Sequence, residues 1–368
     1  MLLALTAVSC ALGLMSVSAA SGSSLHDPAV QAALKRQALS LGFGVVALIV
    51  LMVTDYHVWT HWWKVLYGCA VGLLLAVMVV GHSALGSQRW IRVGPFDLQP
   101  SELSKLAVIV ALTALLSVRV GKMRRMRDLL VPALCAAVPA VLVVLQPDLG
   151  TGLVLGAILV GMVFAAGFSA WRLSLVVLVS IGAMVGLVVA HVHWPHQVPL
   201  PLHSYQLARL LAFVNPQAHA QSTGYQILQS EMAVGSGRIA GNGVFSGGAG
   251  GQLAYMPEAN SDFIFAVIGD TMGFIGSTAV LVTLCLIVWR VIACMATARD
   301  AVGALLAAGV ACMLGFETLL NTGVTLGLMP VTGVPLPFTS YGGSAALVNL
   351  AAVGLVESIY RRRKRLRT

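Results

Sequence analysis

Charged residues are scarce in this chain of 368 residues: they make up 10% of it, whereas a soluble domain carries about 25%. Hydrophobic residues account for 58%, and the mean hydropathy is +0.90. This composition excludes a soluble enzyme, a nucleic-acid-binding domain and a disordered protein. It predicts a chain that lies largely within a lipid bilayer, with no nucleic acid among its partners.

Several cofactor motifs are also missing. The six cysteines lie in or beside apolar segments without CxxC or CxC spacing, which argues against a disulfide framework or a thiolate metal site. No DxD pair occurs, and this pair is the usual metal clamp of nucleotide-sugar transferases. The glycine-rich segment 235–251 lacks the strand and helix that a nucleotide-binding loop needs. We therefore expect no nucleotide cofactor and can assign no metal ligands.

Long apolar stretches are abundant, and a helix needs about 20 such residues to cross a bilayer. Stretches near this length lie at 1–20, 38–54, 64–81, 103–118, 129–145, 152–168, 173–190, 263–289, 301–321 and 339–357. We predict an all-α polytopic membrane protein of about ten transmembrane helices, forming a single domain over the whole chain, 1–368. The first stretch lacks the basic start of a signal peptide and is expected to be retained.

The positions of the cations predict the orientation in the membrane. With ten spans, alternate loops and the tail at 361–368 collect most of the Lys and Arg residues, and positive charge marks the cytoplasmic side. Both termini are therefore expected in the cytoplasm, with the basic tail near anionic lipid headgroups. The long connection at 191–262, between spans seven and eight, then faces outward and is expected to contain short surface helices.

The most informative polar cluster is the segment Tyr255–Phe265, where the outer connection enters the eighth span. Asp262 is a carboxylate at the membrane boundary. A helix N-cap is the more common role for such a residue, and a catalytic base or ion site is the functional alternative. Asp270 lies about two turns deeper on the same face, and a buried hydrogen bond between helices is its expected role.

Three other segments combine polar residues with helix starts or breaks. Pro100 predicts the start of a helix, on which Glu102 and Lys105 have the i,i+3 spacing of an ion pair. Asp148 is expected to cap the following span. The segment Pro335–Ser344 interrupts the chain before the last span, and irregular backbone at membrane depth normally lines a cavity.

Together these motifs resemble the SEDS family (shape, elongation, division and sporulation proteins). The resemblance runs from the first predicted span to the last and is carried by GSQRWIRVGPFDLQPSELSK, QPDLGTG, GYQILQSEMAVGSG, MPEANSDFIFAVIGD and PVTGVPLPFTSYGGS. It implies a glycosyltransferase that polymerises lipid II into glycan strands at the outer face of the bacterial inner membrane. Gly333–Pro337 and Glu357–Ile359 resemble the elongation member RodA more than the division member FtsW.

The family pattern implies that Asp262 is the catalytic carboxylate, because it occupies the acid of the family's TDFIF motif. The chain departs from the pattern at three positions: Ser261 replaces Thr, Asn260 replaces His, and Thr271 stands where a second acid is usual. Because Ser261 keeps a hydroxyl, we expect activity to survive. The change at Thr271 puts a mechanistic role for a second acid in doubt.

The implied reaction is attack by the sugar 4-hydroxyl of one lipid II on C1 of a lipid-linked strand, which expels undecaprenyl pyrophosphate. It needs a base near the hydroxyl and positive charge near the pyrophosphate. Asp262 is the candidate base. The candidates for binding the substrate and its pyrophosphate are Arg92, Lys105, Arg209, Arg238, Glu102, Ser340, Tyr341 and Ser344.

The resemblance allows a divalent cation, Mg²⁺ or Mn²⁺. It also implies a class B penicillin-binding protein (a transpeptidase) and the elongation machinery as partners. Two other functions stay open. A lipid II flippase would need polar residues in the bilayer middle, for which only Asp270 and Glu317 qualify. A non-enzymatic scaffold for the transpeptidase would tolerate replacement of Asp262.

Overall fold

A computed structural model describes residues 1–21, 24, 26–84, 87–93, 96–123, 125–194, 204–219, 223–243 and 259–363. Parts of the predicted outer connection (195–203, 220–222 and 244–258) and of the predicted basic tail (364–368) lie outside the described residues. The helices found are α1 (Leu2–Ser21), α2 (Pro28–Val53), α3 (Tyr56–His61), α4 (Trp63–Val80), α5 (Pro100–Ser117), α6 (Leu130–Leu145), α7 (Leu149–Ala165), α8 (Ala170–His193), α9 (Ser204–Val214), α10 (Thr223–Ser236), α11 (Ile264–Thr297), α12 (Ala301–Thr325) and α13 (Gly343–Arg361).

Each of the ten apolar stretches coincides with one of these helices. In the described part of the chain, α1, α2, α5, α6, α8, α11, α12 and α13 are long and apolar enough to cross a membrane, α6 together with the short 3₁₀ turn before it. The helices α4 and α7 are apolar and shorter. The polytopic helical fold is therefore confirmed, while the count of ten crossings and the sides of the loops stay predictions.

The expectation of an all-α chain is wrong in one segment. Residues 82–98 contain three antiparallel strands in the order β1-β2-β3: β1 (His82–Ala84), β2 (Ser87–Val93) and β3 (Phe96–Leu98). β2 includes Trp, Ile and Val, which favour a pleated surface. The strands are too short to give an apolar stretch, and for this reason hydropathy alone did not reveal them.

The core of the molecule lies around α5, α12 and α13. Most residues of these three helices are buried, whereas α8 has only Leu173 buried among its described residues. The helices α5, α7, α11 and α13 all contact α12. The polar residues of the candidate site project from this central group and from the irregular segments beside it.

The eighth predicted span is a broken helix. Within α11, Gly273 has φ 66° and ψ −162°, outside the helical region. All residues from Ile264 to Thr271 are buried, whereas Phe274 and Ile275 are 69% and 61% exposed. The short first half of α11 therefore lies inside the protein, and the longer second half is the part suited to face lipid.

The segment after α10, residues 237–243, pairs with the backbone groups that the break at Gly273 leaves without a helical partner. The first two N–H groups after Gly273 donate to the carbonyls of Arg238 and Ile239, at 2.9 and 3.2 Å. The carbonyls of Asp270 and Thr271 accept from N–H groups of the same segment, at 2.8 and 3.0 Å. Each of these four bonds pairs a backbone group of the break with one of the segment, so the break and the segment depend on each other.

Gly273→Ala should therefore destabilise the protein. A Cβ at this position would lie 2.7 Å from the carbonyl oxygen of Ile239, and the positive φ disfavours any side chain. We expect a loss of about 1–3 kcal/mol or more, measured by thermal unfolding of the purified protein in detergent. Gly182→Ala on α8, where an added methyl group meets open space, is the matched control and should be neutral or stabilising by up to about 1 kcal/mol. Equal melting temperatures for both variants would contradict the break.

Candidate functional site

Asp262 lies in the turn formed by residues 259–263, which leads into α11. The N-cap of α11 is Phe263, whose side chain makes no capping hydrogen bond. The expectation that Asp262 is an N-cap is therefore wrong. The helix starts one residue later than a cap at Asp262 requires, and the carboxylate is partly buried.

Three successive carbonyls of the 259–263 turn accept hydrogen bonds from other elements. The carbonyl of Asn260 accepts from the N–H of Tyr341 at 2.9 Å. The next carbonyl accepts from the hydroxyl of Ser340 at 2.7 Å. The carbonyl of Asp262 accepts from the side-chain amide of Asn321 at 2.8 Å. The backbone that carries the carboxylate is thus fixed at three consecutive residues.

The irregular segment before α13 provides two of these donors, as expected of a break at membrane depth. The chain is non-helical from Leu326 to Gly342, and α13 begins at Gly343. The hydroxyl of Ser340 also accepts from the N–H of Leu336 at 2.8 Å. Ser340 is 5% exposed, so the structure gives it a role in joining backbone segments and not that of an open substrate contact.

Gly333 brings a cation next to the carboxylate. Its φ is +75°, and a Cβ built on it would lie 3.3 Å from Oδ2 of Asp262 and 3.6 Å from Nη1 of Arg209. Oδ2 of Asp262 and Nη1 of Arg209 therefore both lie beside the same bare backbone position. Nη1 of Arg209 also donates to the carbonyl of Val331 at 3.3 Å. Arg209 reaches this place from α9, one of the short helices in the predicted outer connection.

Lys105 has a different environment from the one expected of a phosphate ligand. Its Nζ lies 2.8 Å from both carboxylate oxygens of Glu102, which confirms the predicted i,i+3 pair, and 2.5 Å from Oε1 of Glu317. The three side chains are 1–2% exposed. The ammonium faces two carboxylates inside the protein, so substrate binding by Lys105 or Glu102 does not fit their burial.

Two other polar residues serve as structural links. The hydroxyl of Ser344 donates to the carbonyl of Asp97 at 3.1 Å and accepts from the N–H of Gln99 at 2.8 Å, so it joins β3 to α13 and is not an open substrate contact. The carboxylate of Asp148 accepts from the N–H of Thr151 at 3.1 Å. The predicted cap of the following span, which is α7, is therefore confirmed.

The remaining predicted cations lie elsewhere. Arg92 on β2 is exposed, and its Nε lies 3.3 Å from the carboxylate of Asp97 across the hairpin. Arg238 is exposed beside the break at Gly273 and adopts a φ of 49°. Among the described contacts, none joins either arginine to Asp262. Four cations were predicted to bind the substrate, and of these Arg209 lies beside Gly333 together with the carboxylate of Asp262.

Asp270 has the role expected for it. Its Oδ1 accepts from the hydroxyl of Ser236 at 2.6 Å and from the amide of Asn242 at 2.7 Å, which ties the first half of α11 to α10 and the segment after it.

The described residues contain no group of three His, Cys, Asp or Glu that could hold a metal ion. The divalent cation that the resemblance allows, Mg²⁺ or Mn²⁺, stays a prediction.

Fold and site define a class: a multi-span membrane protein with a carboxylate at the start of a broken helix. The chain belongs to the FtsW, RodA and SpoVE family, described as cell cycle protein, whose pattern matches residues 1–365. Stage V sporulation protein E of Bacillus subtilis (strain 168) is 37% identical over 330 residues, which cover 89% of this chain and 86% of that protein. A probable peptidoglycan glycosyltransferase FtsW of Geobacter sp. (strain M18) is 36% identical over 329 residues, with coverage of 89% and 86%.

Solved structures agree with this assignment. A structure described as the structural coordination of polymerization and crosslinking by a peptidoglycan synthase complex has a TM-score of 0.80 and 32% identity, covering 98% of this chain and 96% of that one. The rod shape determining protein RodA of Thermus thermophilus has a TM-score of 0.70 and 30% identity, covering 99% and 97%. The predicted family is confirmed, while sporulation, division and elongation names all occur among the relatives.

Lys105→Met should be strongly destabilising, because it leaves two buried carboxylates without a counter-charge. We expect a loss of about 3–5 kcal/mol, measured by chemical or thermal unfolding in detergent. Glu317→Gln is the matched control: Lys105 and Glu102 then remain as a one-to-one pair, and the loss should be smaller. If Lys105→Met were as stable as Glu317→Gln, the ammonium of Lys105 would not be needed to compensate the two buried carboxylates, and the prediction would be wrong.

Proposed function

We propose that this chain is a peptidoglycan glycosyltransferase that polymerises lipid II at the outer face of the bacterial inner membrane, with Asp262 as its catalytic carboxylate. Its FtsW relatives carry the name of this activity. The observation that carries the residue assignment is that Asp262 and Arg209 both lie beside Gly333. One short region thus supplies a base and a positive charge.

The two groups match the needs of the reaction. Asp262 accepts the proton of the attacking sugar 4-hydroxyl while the oxygen of that hydroxyl forms a bond to C1 of the lipid-linked strand. The bond from C1 to the pyrophosphate oxygen breaks, and the lipid pyrophosphate leaves with the bonding electrons. The guanidinium of Arg209 lies where it can compensate that negative charge.

The fixed backbone around Asp262 supports this role. A misplacement of about 1 Å can cost about 100-fold in rate, so a base benefits from a rigid mount. The hydrogen bonds to three successive carbonyls give Asp262 such a mount. Gly333 contributes by leaving space, because a side chain there would crowd the carboxylate and the guanidinium.

Asp262→Asn should lower glycan polymerisation by about 10²–10⁴-fold, because the amide cannot accept the proton. The assay uses labelled lipid II and the purified protein together with its class B penicillin-binding protein. Asp128→Asn, in the 3₁₀ turn before α6, is the control and should polymerise like wild type. As much polymer from Asp262→Asn as from the wild type would remove the base role.

Two further outcomes would favour the alternative functions. Transport of lipid II across liposomes by a wild-type protein that forms no polymer would favour the flippase. Normal growth of cells that carry Asp262→Asn would favour the scaffold.

The two arginines of the predicted outer connection should respond differently to the same change. Arg209→Gln removes the charge beside Asp262 and should reduce kcat/KM by about 10-fold or more. Arg238→Gln, at the break of α11, should stay within about 3-fold of wild type. The comparison is made in the same polymerisation assay. A larger loss from Arg238→Gln would place the pyrophosphate elsewhere.

For the cellular role we propose cell-wall elongation, with a class B penicillin-binding protein and the elongation machinery as partners. The motifs Gly333–Pro337 and Glu357–Ile359 support this role, and the RodA structure of Thermus thermophilus is among the similar folds. We also propose the orientation with both termini in the cytoplasm. The test is the position of a fluorescent fusion of the protein in growing cells. Fluorescence along the lateral wall would support a role in elongation, and fluorescence confined to the division site would support a role in division.

A further inference from the structure

Asn321 on α12 is 1% exposed and makes an unusual pair of contacts. Its Nδ2 donates to the carbonyl oxygen of Asp262 and to that of Val334, both at 2.8 Å. A primary amide carries two N–H donors on one nitrogen, and here each of them has its own carbonyl. A serine or threonine hydroxyl offers one donor, and a carboxylate offers none. Neither a hydroxyl nor a carboxylate could therefore make both contacts.

The two carbonyls belong to the two backbone segments that form the site. One is in the 259–263 turn, at the residue that carries the carboxylate. The other is in the segment before α13, directly after Gly333, which lies against Asp262 and Arg209. The amide of Asn321 thus sets the separation between these segments at the place where the base and the cation both lie beside Gly333.

The helix that carries Asn321 is itself held in place. Glu317, one turn earlier on α12, is bound to Lys105 of α5 inside the protein. One turn later, the carbonyl of Thr325 accepts from the hydroxyl of Ser230 of α10 at 2.8 Å. Because α12 is fixed on both sides, the amide transmits the position of the central helices to the 259–263 turn.

We propose that Asn321 is a positioning residue of the glycosyltransferase reaction: its two N–H groups hold the backbone of Asp262 against that of Val334 and so fix the carboxylate at the reacting hydroxyl. This inference rests on the proposed function of Asp262. Asn321 contacts no reacting atom in this scheme, so it acts on the rate through Asp262 and leaves substrate binding nearly unchanged.

The first experiment separates positioning from general stability. Asn321→Leu keeps the approximate size and removes both donors. We expect kcat for polymer formation to fall about 10- to 100-fold, with KM for lipid II within about 3-fold of wild type. Asn349→Leu is the matched control, because Asn349 on α13 is also 1% exposed and bonds neither the 259–263 turn nor Val334 among the described contacts. Its kcat should stay within about 3-fold of wild type. Equal kcat values for the two variants would overturn the proposal.

A second experiment tests whether Asn321 acts through Asp262. In the Asp262→Asn background the carboxylate is absent, so adding Asn321→Leu should change the residual rate by less than about 3-fold. Effects on the rate that multiply in the double variant would mean that Asn321 acts independently of Asp262, and the proposal would be wrong.

If Asn321→Leu does not fold, Asn321→Gln serves instead. It keeps both donors on a chain one methylene longer, and it should lower kcat while the melting temperature stays near that of wild type. A wild-type kcat for Asn321→Gln in that case would contradict the proposal.

The outcomes also separate this inference from the proposed function. Wild-type polymerisation by Asp262→Asn would remove the base role, and the inference would fall with it. An inactive Asp262→Asn together with a wild-type kcat for Asn321→Leu would overturn the inference alone.

Discussion

Backbone hydrogen bonding without water is the constraint on which this structure depends. Inside a bilayer an unpaired N–H or C=O group is costly, so any departure from helix must find its partners within the protein. The chain departs from helix at three important places: the break at Gly273, the 259–263 turn, and the segment before α13. The break is paired with the segment after α10, and the other two are paired with each other. The candidate site lies where two irregular segments satisfy one another.

The buried charges follow from the same constraint. An ammonium in the core of the molecule is tolerable only with close counter-charges, and Lys105 has two of them on different helices. The ion pair with Glu317 joins α5 to α12, the helix that also carries Asn321. One face of α12 therefore combines a charge link to the core with a hydrogen-bond link to the 259–263 turn. The contacts that hold the 259–263 turn thus lead back to the packed centre of the molecule.

Local sequence patterns predicted the features that depend on neighbouring residues. The apolar helices, the ion pair of Glu102 with Lys105 and the cap at Asp148 all follow from spacing along one helix. The features that failed depend on distant residues. Asp262 is held by groups that follow it by many residues in the chain, and its closeness to Arg209 arises only when α9 folds back. The small sheet was missed because its strands are shorter than any hydropathy window.

The contacts also explain how the chain tolerates its departures from the family pattern. At Asn260 and Ser261 the contacts that fix the 259–263 turn use the main-chain carbonyls, so exchange of either side chain leaves these hydrogen bonds in place. The hydroxyl of Thr271 donates to the carbonyl of Val267, at 2.7 Å, within the same helix. An uncharged residue is therefore accommodated in the buried half of α11 without a counter-ion. In the proposed scheme the site requires a carboxylate at 262, a guanidinium at 209, an amide at 321 and a bare backbone at 333.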